Sequence, residues 1–294
     1  MYYRKVYTNL LLMSVQLSGE SVKLSRSVVS RFQQMIWQYY ETHGRHDLPW
    51  RLTDDPYHIL VSEVMLQQTQ VSRVLTKYPE FLDVFPDIQT LASASLKDIL
   101  GVWQSMGYNR RAKFLQQAAQ KIVSEYDGEI PSDPAQLITL PGIGKHTAGS
   151  ISAFAFNNPA VFIETNIRRT YIHHFFQGIS DVSDTQLYPF IEATLPKDDA
   201  RNWYNALMDY GTFLAQTIAN PNHKSKHYKK QSPFETSLRK VRGEILKAVS
   251  NAEGKISKKE LETLPFEGDR IRQALGALVK EGFLIKERAQ YRIA

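Results

Sequence analysis

The feature that most constrains the fold is a helical periodicity that runs from Leu24 to about Leu214. Apolar residues recur three or four positions apart, and short turns and prolines separate the segments. No stretch shows the convincing alternation of apolar and polar residues that a half-buried strand would have. With 294 residues, 43% of them hydrophobic, the chain has enough apolar side chains for a sizeable core. The sequence therefore predicts an all-α body.

One helix is predicted to begin at Asp55-Pro56, where a capping residue precedes a proline at the first helical position. Its predicted apolar stripe comprises Leu60, Val64, Val71 and Leu75. Another face of the same helix is predicted to carry Glu63, Gln67 and Gln70.

The absence of cysteine excludes disulfides, thiolate zinc sites and cysteine-ligated iron–sulfur clusters. Two close histidine pairs, His43/His46 and His223/His227, have no evident third ligand. We therefore expect no metal and no cofactor. The net charge of +6 favours a polyanionic partner, because Lys and Arg that neutralise phosphates release condensed counterions. A merely basic protein without such a partner is the alternative.

Composition divides the chain into four segments. Residues 1–25 form an N-terminal arm without clear periodicity, residues 26–219 form the helical body, and residues 220–235 form a basic linker. Residues 236–294 show a helix, a short segment, a second helix and two apolar stretches around a polar turn, which suggests a small winged helix-turn-helix. A helical tail with a hairpin is the alternative. No apolar run approaches the roughly 18 residues that span a bilayer, so we expect a cytoplasmic protein.

A glycine hairpin joins two predicted helices in the run LPGIGKHTAGSI, residues 140–151. The glycines allow positive φ and a close backbone approach, and the second helix presents unpaired N–H groups and its positive dipole end to an anion. A DNA phosphate fits such a site, while a simple glycine-punctuated helix corner is the alternative. The predicted phosphate contacts are Gly142, Gly144, Lys145 and Thr147.

Five motifs between Leu48 and Gly211 resemble, in their order, those of the adenine DNA glycosylases of the helix-hairpin-helix superfamily. They are LPWRLTDDPYHILVSEVMLQQTQVSRV (48–74), SMGYNRRAKFLQQAAQKI (105–122), the hairpin, IETNIRR (163–169) and WYNALMDYG (203–211). The resemblance implies two helical subdomains that flank a DNA-binding cleft. Beyond Gly211 the family's four-cysteine cluster loop is replaced by the basic linker, and the Nudix-like domain is missing. Members without the cluster are known in the family.

Cleavage of the bond between deoxyribose and a purine needs an acid for the leaving base and a carboxylate for the cation-like sugar. By resemblance, Glu63 is the catalytic glutamate that protonates adenine at N7, and burial on an apolar helix would raise its pKa towards working pH. Glu164 stands where the family has its catalytic aspartate, one methylene longer. The resemblance implies that Glu164 stabilises the cation-like sugar. The alternatives are that the longer side chain reflects an altered substrate or weakens the enzyme. Asn166 matches the asparagine of the family's motif and is expected to form a hydrogen bond near that site. Asp209 matches an acidic position that the family has near the adenine pocket.

His146 occupies the position where bifunctional relatives carry the lysine that attacks the sugar. Imidazole forms no productive imine, so we expect a monofunctional enzyme, with His146 either lining the base pocket or bonded locally at the helix start. Gln68 and Tyr108 match the family's intercalating residues, which hold the gap left by an extruded base. A core aromatic is the alternative for Tyr108.

The expected function is excision of adenine opposite guanine or 8-oxoguanine from double-stranded DNA, by a monomer associated with the nucleoid. Thymine and uracil mismatch glycosylases share the scaffold and form a second hypothesis. A non-catalytic DNA-binding protein is the third, and retention of Glu63 speaks against it.

Overall fold

The structure is a computed structural model that describes residues 24–228, 234–252 and 254–294. The predicted N-terminal arm therefore lies outside the described residues except for its last two. In chain order the described elements are α1 (Arg26–His43), α2 (Pro56–Leu66), α3 (Val71–Val84), α4 (Ile88–Ser93), α5 (Leu96–Val102), α6 (Arg110–Glu125), α7 (Pro134–Leu137), α8 (Lys145–Phe156), α9 (Thr165–Phe175), α10 (Asp184–Thr194), α11 (Ala200–Thr217), α12 (Leu238–Asn251), β1 (Ile256–Ser257), α13 (Lys258–Leu261), α14 (Gly268–Lys280), β2 (Leu284–Glu287) and β3 (Gln290–Ile293).

The predicted all-α body is confirmed, because every strand among the described residues follows residue 255. Short 3-10 helices at Pro49–Arg51 and Pro221–Lys224 complete the regular structure. None of the described helices combines the length and hydropathy that a bilayer-spanning segment needs.

The described residues fall into two compact units. The first unit comprises residues 24–54, 132–134 and 144–228. The second unit comprises residues 55–131, 135–143 and the described residues from 234 onward. The predicted boundaries differ from these units, since the expected body of residues 26–219 is divided and the C-terminal residues cluster with residues 55–131.

The core of the first unit forms where α9 and α8 pack against α11. Small residues permit this close approach: a Cβ added to Gly211 would lie 2.6 Å from Cβ of Asn166, and one added to Gly149 would lie 2.7 Å from Cβ of Phe162. The Phe162 ring packs on Tyr204 with 4.1 Å between centroids. Gly211 therefore fixes how closely α11 approaches α9, and Gly149 fixes how closely α8 approaches the segment before α9.

A buried ionic cluster links the first unit's N-terminal segment to α11. Asp209 accepts hydrogen bonds from the backbone N of Arg45 at 2.8 Å and from Nη1 and Nη2 of Arg51 at 2.8 and 2.9 Å. The Nε of Arg45 donates at 2.7 Å to Oδ1 of Asp209, the oxygen that also accepts from Nη2 of Arg51. Burial alone would raise the pKa of Asp209, but the hydrogen bonds and charges of Arg51 and Arg45 outweigh it and lower the pKa.

The predicted linker is partly a structured element of the first unit. Pro221 and Asn222 are buried, and Asn222 Nδ2 donates to the carbonyl of Thr165 at 2.9 Å. Val182 donates to the carbonyl of Lys224 at 2.8 Å and accepts from Lys226 at 3.0 Å. The linker prediction is therefore wrong for residues 220–228, because asparagine side chains and backbone pairing hold this basic segment in place. Residues 229–233 lie outside the described residues.

In the second unit, the single helix predicted to begin at Asp55 is two helices. The first, α2, ends at Leu66, and α3 begins at Val71 after a turn in which Gln68 adopts φ 56°. Gln67 and Gln70 flank this turn rather than share a helical face with Glu63, and Leu75 is 39% exposed. The predicted stripe therefore stops at Val64.

The end of α2 is held by the guanidinium group of Arg111, on α6. Its Nη1 donates to the carbonyls of Val64, Met65 and Gln67 at 2.9, 2.7 and 2.6 Å. These oxygens have no partner within the helix once it ends, and a positive charge at a helix C-terminus is favourable. The Arg111 side chain thus supplies hydrogen-bond donors to the last carbonyls of α2, which ends at Leu66, four residues before Gln70.

The other nitrogen of the same guanidinium group holds a second loop. Arg111 Nη2 donates to Oγ1 of Thr69 at 2.9 Å and to the carbonyls of Gly107 and Met106 at 3.1 and 3.3 Å. Burial lowers the pKa of Arg111 to about 10, so the group stays charged at neutral pH. One buried cation therefore binds the turn after α2 and the loop before α6.

Residues 238–294, the C-terminal module, have the predicted winged-helix order of helix, short strand and helix, helix, and two-stranded wing. The sheet order is β1-β3-β2, with Ile256 opposite Tyr291 and Leu284 opposite Ile293. Its core forms between α12 and α14, which bury Val241, Ile245, Ile271 and Leu278. A helical tail with a plain hairpin is excluded by the third strand.

Replacing Arg111 should destabilise the protein even when the charge is kept. Arg111→Lys cannot reach acceptors on two loops with one compact ammonium group, and Arg111→Met leaves buried carbonyls unpaired. We expect each to lower the free energy of unfolding by about 2–4 kcal/mol in urea denaturation. Exposed Arg73 on α3 provides the control, since Arg73→Met should have little effect. A lysine variant as stable as the wild type would contradict this interpretation.

Asp209→Asn should cost about 3–5 kcal/mol of unfolding free energy, because two arginines lose a buried countercharge. Since the folded-state pKa of Asp209 lies below its ordinary 3.8, this stabilisation is complete above that pH and is lost as pH falls through the lower folded value. Glu80→Gln removes an exposed partner of Lys77 and should cost less than about 1 kcal/mol. Equal losses in the two variants, measured by thermal or urea unfolding, would contradict the structural role of Asp209.

Candidate active site

Glu63 lies on α2, a helix that is fixed at both ends. Asp55 caps its start by accepting from the backbone N of Tyr57 at 2.8 Å and of His58 at 3.3 Å. Arg111 binds its end, and seven of its eleven residues are buried. Glu63 itself is half-buried, which matches the environment expected from the sequence. The helix therefore presents one carboxyl group from a rigid, mostly apolar element.

Glu164 is the N-cap of α9. One of its oxygens accepts from the backbone N of Asn166 at 2.6 Å and of Ile167 at 2.8 Å. Aspartate is among the preferred residues at this position, and glutamate reaches the same two donors with one additional methylene. The Glu164 side chain thus caps α9 although it is one methylene longer than aspartate.

Hydrogen bonds and nearby charges partly offset the effect of burial on the pKa of Glu164. Burial raises the pKa of Glu164, while the two backbone donors and the charges of Arg169 and Arg168 lower it, with a net increase. Arg169 Nη1 also donates to Oδ1 of Asn166 at 2.5 Å and to the carbonyl of Gly211 at 2.8 Å. Asn166 therefore lies beside Glu164, as expected, and is oriented by an arginine.

The start of α8 carries His146 and Lys145, both of which are exposed. The His146 ring lies 5.6 Å from that of Phe162, centroid to centroid. Although the residue as a whole is exposed, protein atoms such as those of Phe162 crowd its ring, and this desolvation together with the charge of Arg168 lowers the pKa of His146, so the imidazole is neutral at physiological pH. A neutral ring can donate and accept one hydrogen bond each.

Gly142 has the positive φ and the close contact that the sequence predicts for the hairpin, whereas Gly144 has φ -89° and no close neighbour. Gly142 adopts φ 77°, and a Cβ added there would lie 2.6 Å from Cβ of Phe114, so only glycine fits. At Gly144, the N-cap of the twelve-residue helix α8, an added Cβ would meet nothing within 4 Å. Gly144 has no side chain that could cap this helix, and the start of a helix favours a negative charge. Thr147 differs from expectation, because it is buried where α8 enters the core.

Gln68 and Tyr108 lie in two turns of the second unit, both at positive φ, 56° and 48°. Gln68 is exposed and stands outside the helices, so its place follows from the break after α2 and not from an interruption of an apolar stripe. Tyr108 is half-buried, with the guanidinium carbon of Arg111 5.5 Å from its ring centroid. Tyr108 is thus a loop residue held by cations, not a core aromatic.

The structure brings some predicted site residues together and separates others by unit. Glu164 and Asn166 are in contact in the first unit, which also contains Asp209 and the start of α8. Glu63, Gln68 and Tyr108 belong to the second unit. The base-pocket role expected for Asp209 needs correction, because both of its oxygens are taken by Arg45 and Arg51.

Sequence reasoning did not single out the residues that position the site. The available signal for Arg111 is the run GYNRRAK, which places two arginines two and three positions after the predicted intercalating tyrosine without indicating which of them is buried. Arg239, which contacts Tyr108, carries no sequence signal at all. Within the described residues, no three His, Asp or Glu side chains are grouped closely enough to hold a metal ion.

Comparison with known proteins agrees with this geometry. Residues 61–186 match the family described as HhH-GPD superfamily base excision DNA repair protein. The chain is 31% identical to an adenine DNA glycosylase of Mycolicibacterium smegmatis over 274 residues, 86% of this chain and 92% of that protein. Those of Buchnera aphidicola (Baizongia pistaciae) and Homo sapiens are 36% and 38% identical, over 62% and 53% of this chain.

The length of the match differs among these relatives. The chain spans about half of the Buchnera protein, 52%, and 30% of the human protein. Among solved structures, a thermostable thymine-DNA glycosylase superposes with TM-score 0.59 at 24% identity, covering 67% of this chain and 91% of that one. An endonuclease III from a DNA complex gives TM-score 0.55 at 19% identity, covering 72% and 91%. The fold and the long match in Mycolicibacterium together show that the chain belongs to the adenine DNA glycosylase family of the HhH-GPD superfamily.

Proposed function

We propose that this protein is a DNA glycosylase that removes a mispaired adenine from double-stranded DNA by hydrolysing its N-glycosidic bond. The observation that carries the proposal is Glu63, half-buried on a helix fixed by Asp55 and Arg111. Relatives that bear the name adenine DNA glycosylase, at 31–38% identity, support adenine as the base.

In the proposed reaction, the bond between C1′ of deoxyribose and N9 of adenine breaks, and its electron pair leaves with the base. Glu63 supplies a proton to N7, which turns adenine into a better leaving group. Water then adds to C1′ and returns a proton to the carboxylate left on Glu63, so that the products are free adenine and an abasic site and the acid is regenerated. Glu164, in its ionised form, stabilises the positive charge that develops on the sugar. Its donors Asn166 and Ile167 fix the carboxylate in place.

We propose that the start of α8 binds a DNA phosphate next to the extruded nucleotide. The helix start after Gly144 and the exposed Lys145 offer backbone donors and positive charge to an anion. Such contacts position the duplex without reading its sequence. Gln68 and Tyr108 fill the gap in the base stack while the adenine is out of the helix.

The reaction needs neither a Schiff base nor a resident cofactor in this proposal. A neutral imidazole at His146 replaces the amine that a lyase requires, and the chain offers no thiolate for an iron–sulfur cluster. The protein would then release adenine and leave the DNA strand uncut. We further propose that it acts as a monomer on the nucleoid.

Glu63→Gln should abolish most of the activity, because the amide cannot donate the proton to N7. We expect the single-turnover rate of adenine release to fall by about 10²–10⁴-fold. Glu129→Gln, an exposed position in the same unit, controls for loss of one negative charge and should be active. A Glu63→Gln enzyme within threefold of the wild type would refute the proposed acid.

The substrate is tested with duplexes that contain A·8-oxoguanine, A·G, T·G, U·G or hypoxanthine. Release of adenine from the first two, with strand cleavage only after alkali, is the expected result. Preferential release of thymine or uracil would favour the mismatch-pyrimidine alternative. Binding without release from any duplex would identify a non-catalytic DNA-binding protein, and strand cleavage without alkali would contradict monofunctional chemistry.

The pH dependence of adenine release should report on Glu164. Because burial raises its pKa above the ordinary 4.5, the active carboxylate is lost as pH falls through a value above 4.5, and the rate falls with it. Glu164→Gln should be slower and should lack this acidic limb. Glu164→Asp should retain more activity than Glu164→Ala, and equal rates in these two variants would exclude a carboxylate role.

A further inference from the structure

The predicted intercalating residue Tyr108 is contacted by the C-terminal module. Arg239, on α12, donates from Nη1 to the tyrosine hydroxyl, and its guanidinium carbon lies 5.4 Å from the ring centroid. Arg111 lies 5.5 Å from the same centroid. The ring is therefore held by two cations, one from α6 and one from a helix 131 residues further along the chain.

The loop that ends at Tyr108 has an unfavourable backbone. Residues 104–108, the wedge loop, include φ 72° at Ser105, 69° at Gly107 and 48° at Tyr108. Side chains other than glycine rarely adopt these angles, so the loop keeps this shape only where the surroundings impose it. Trp103 contributes by donating from Nε1 to the carbonyl of Gly107 at 3.2 Å.

The C-terminal module also binds the first residue of the wedge loop and the helix that follows the loop. Gln104 Nε2 donates to Oδ1 of Asn251 at 3.4 Å. After the loop, Lys113 Nζ donates to the carbonyls of Glu281 and Gly282 at 2.6 and 2.7 Å. The carboxylate of Glu281 is itself held by both terminal nitrogens of Arg242 at 2.8 and 2.7 Å. The module thus forms an attached support for the loop and its flanks.

We infer that Arg239 is a positioning residue for Tyr108, and that through it the C-terminal module holds the wedge loop in the conformation that occupies the base stack. The inference rests on the proposed function, in which Tyr108 fills the gap. A hydrogen bond and a cation on the ring restrict the rotamer before DNA binds, so less conformational freedom is lost when the base is extruded. The module then serves base extrusion without touching the extruded base.

The contact is tested first in the absence of DNA, by hydrogen–deuterium exchange. Arg239→Ala should increase exchange in peptides that cover residues 104–109, because the loop loses its outer support. Arg272→Ala is the matched control: it removes the same charge from an exposed site in the same module and should leave the loop unchanged. Unchanged exchange in Arg239→Ala would overturn the inference. If that variant does not fold, Arg239→Gln replaces it.

The second test follows base extrusion with 2-aminopurine placed beside the mispaired adenine, since its fluorescence rises when stacking is lost. Arg239→Ala should reduce this rise and slow adenine release about tenfold, and Arg239→Lys should recover part of both. In a Tyr108→Ala background, Arg239→Ala should have no further effect. Additive losses would mean that Arg239 binds DNA directly, and faster extrusion would mean that it restrains the ring; either overturns the inference.

These outcomes are separate from those of the proposed function. A wild-type protein that releases no adenine refutes the enzyme, yet the exchange and fluorescence measurements still report on the loop. Conversely, an active enzyme whose loop is indifferent to Arg239 refutes only the positioning role.

Discussion

The second unit depends on one buried guanidinium group. Arg111 joins the carbonyl end of α2 to the wedge loop. The helix that carries Glu63 and the loop that carries Tyr108 are therefore held by the same guanidinium group. The planar fork is well suited to this role, because its nitrogens point to several acceptors at once. In the proposed enzyme, the acid and the intercalating residue therefore share one support.

Two carboxylates in the first unit have different surroundings and different roles. Asp209 is saturated by two arginines and stabilises the fold, while Glu164 is bound by backbone donors at a helix start. The pKa of Asp209 lies below its ordinary value, whereas burial raises the pKa of Glu164 above its own. Fixed N–H donors orient a carboxylate without cancelling its charge, which suits a group that stabilises a cation.

Local patterns predicted much of this structure. The start of α2 at Asp55-Pro56, the glycine hairpin and the order of elements in the C-terminal module follow from caps, glycines and periodicity. The break after α2 could not be predicted, because its cause is a side chain 44 residues away from Gln67. Likewise, Asp209 is bound by Arg45 from 164 residues away. Periodicity indicates which face of a helix is buried, but it does not indicate which charged side chain from elsewhere in the sequence binds there.

The second unit is discontinuous in sequence, since it draws on residues 55–131, 135–143 and the C-terminal module. During synthesis, more than a hundred residues must therefore follow the wedge loop and the start of α6 before Arg239 and Glu281 emerge to contact them. Contacts of such large sequence separation form late, because chain closure costs entropy before it is repaid. Until the chain is complete, the wedge loop and the start of α6 therefore lack the contacts that Arg239 and Glu281 make with them, and a prematurely ended polypeptide would keep the loop without this support.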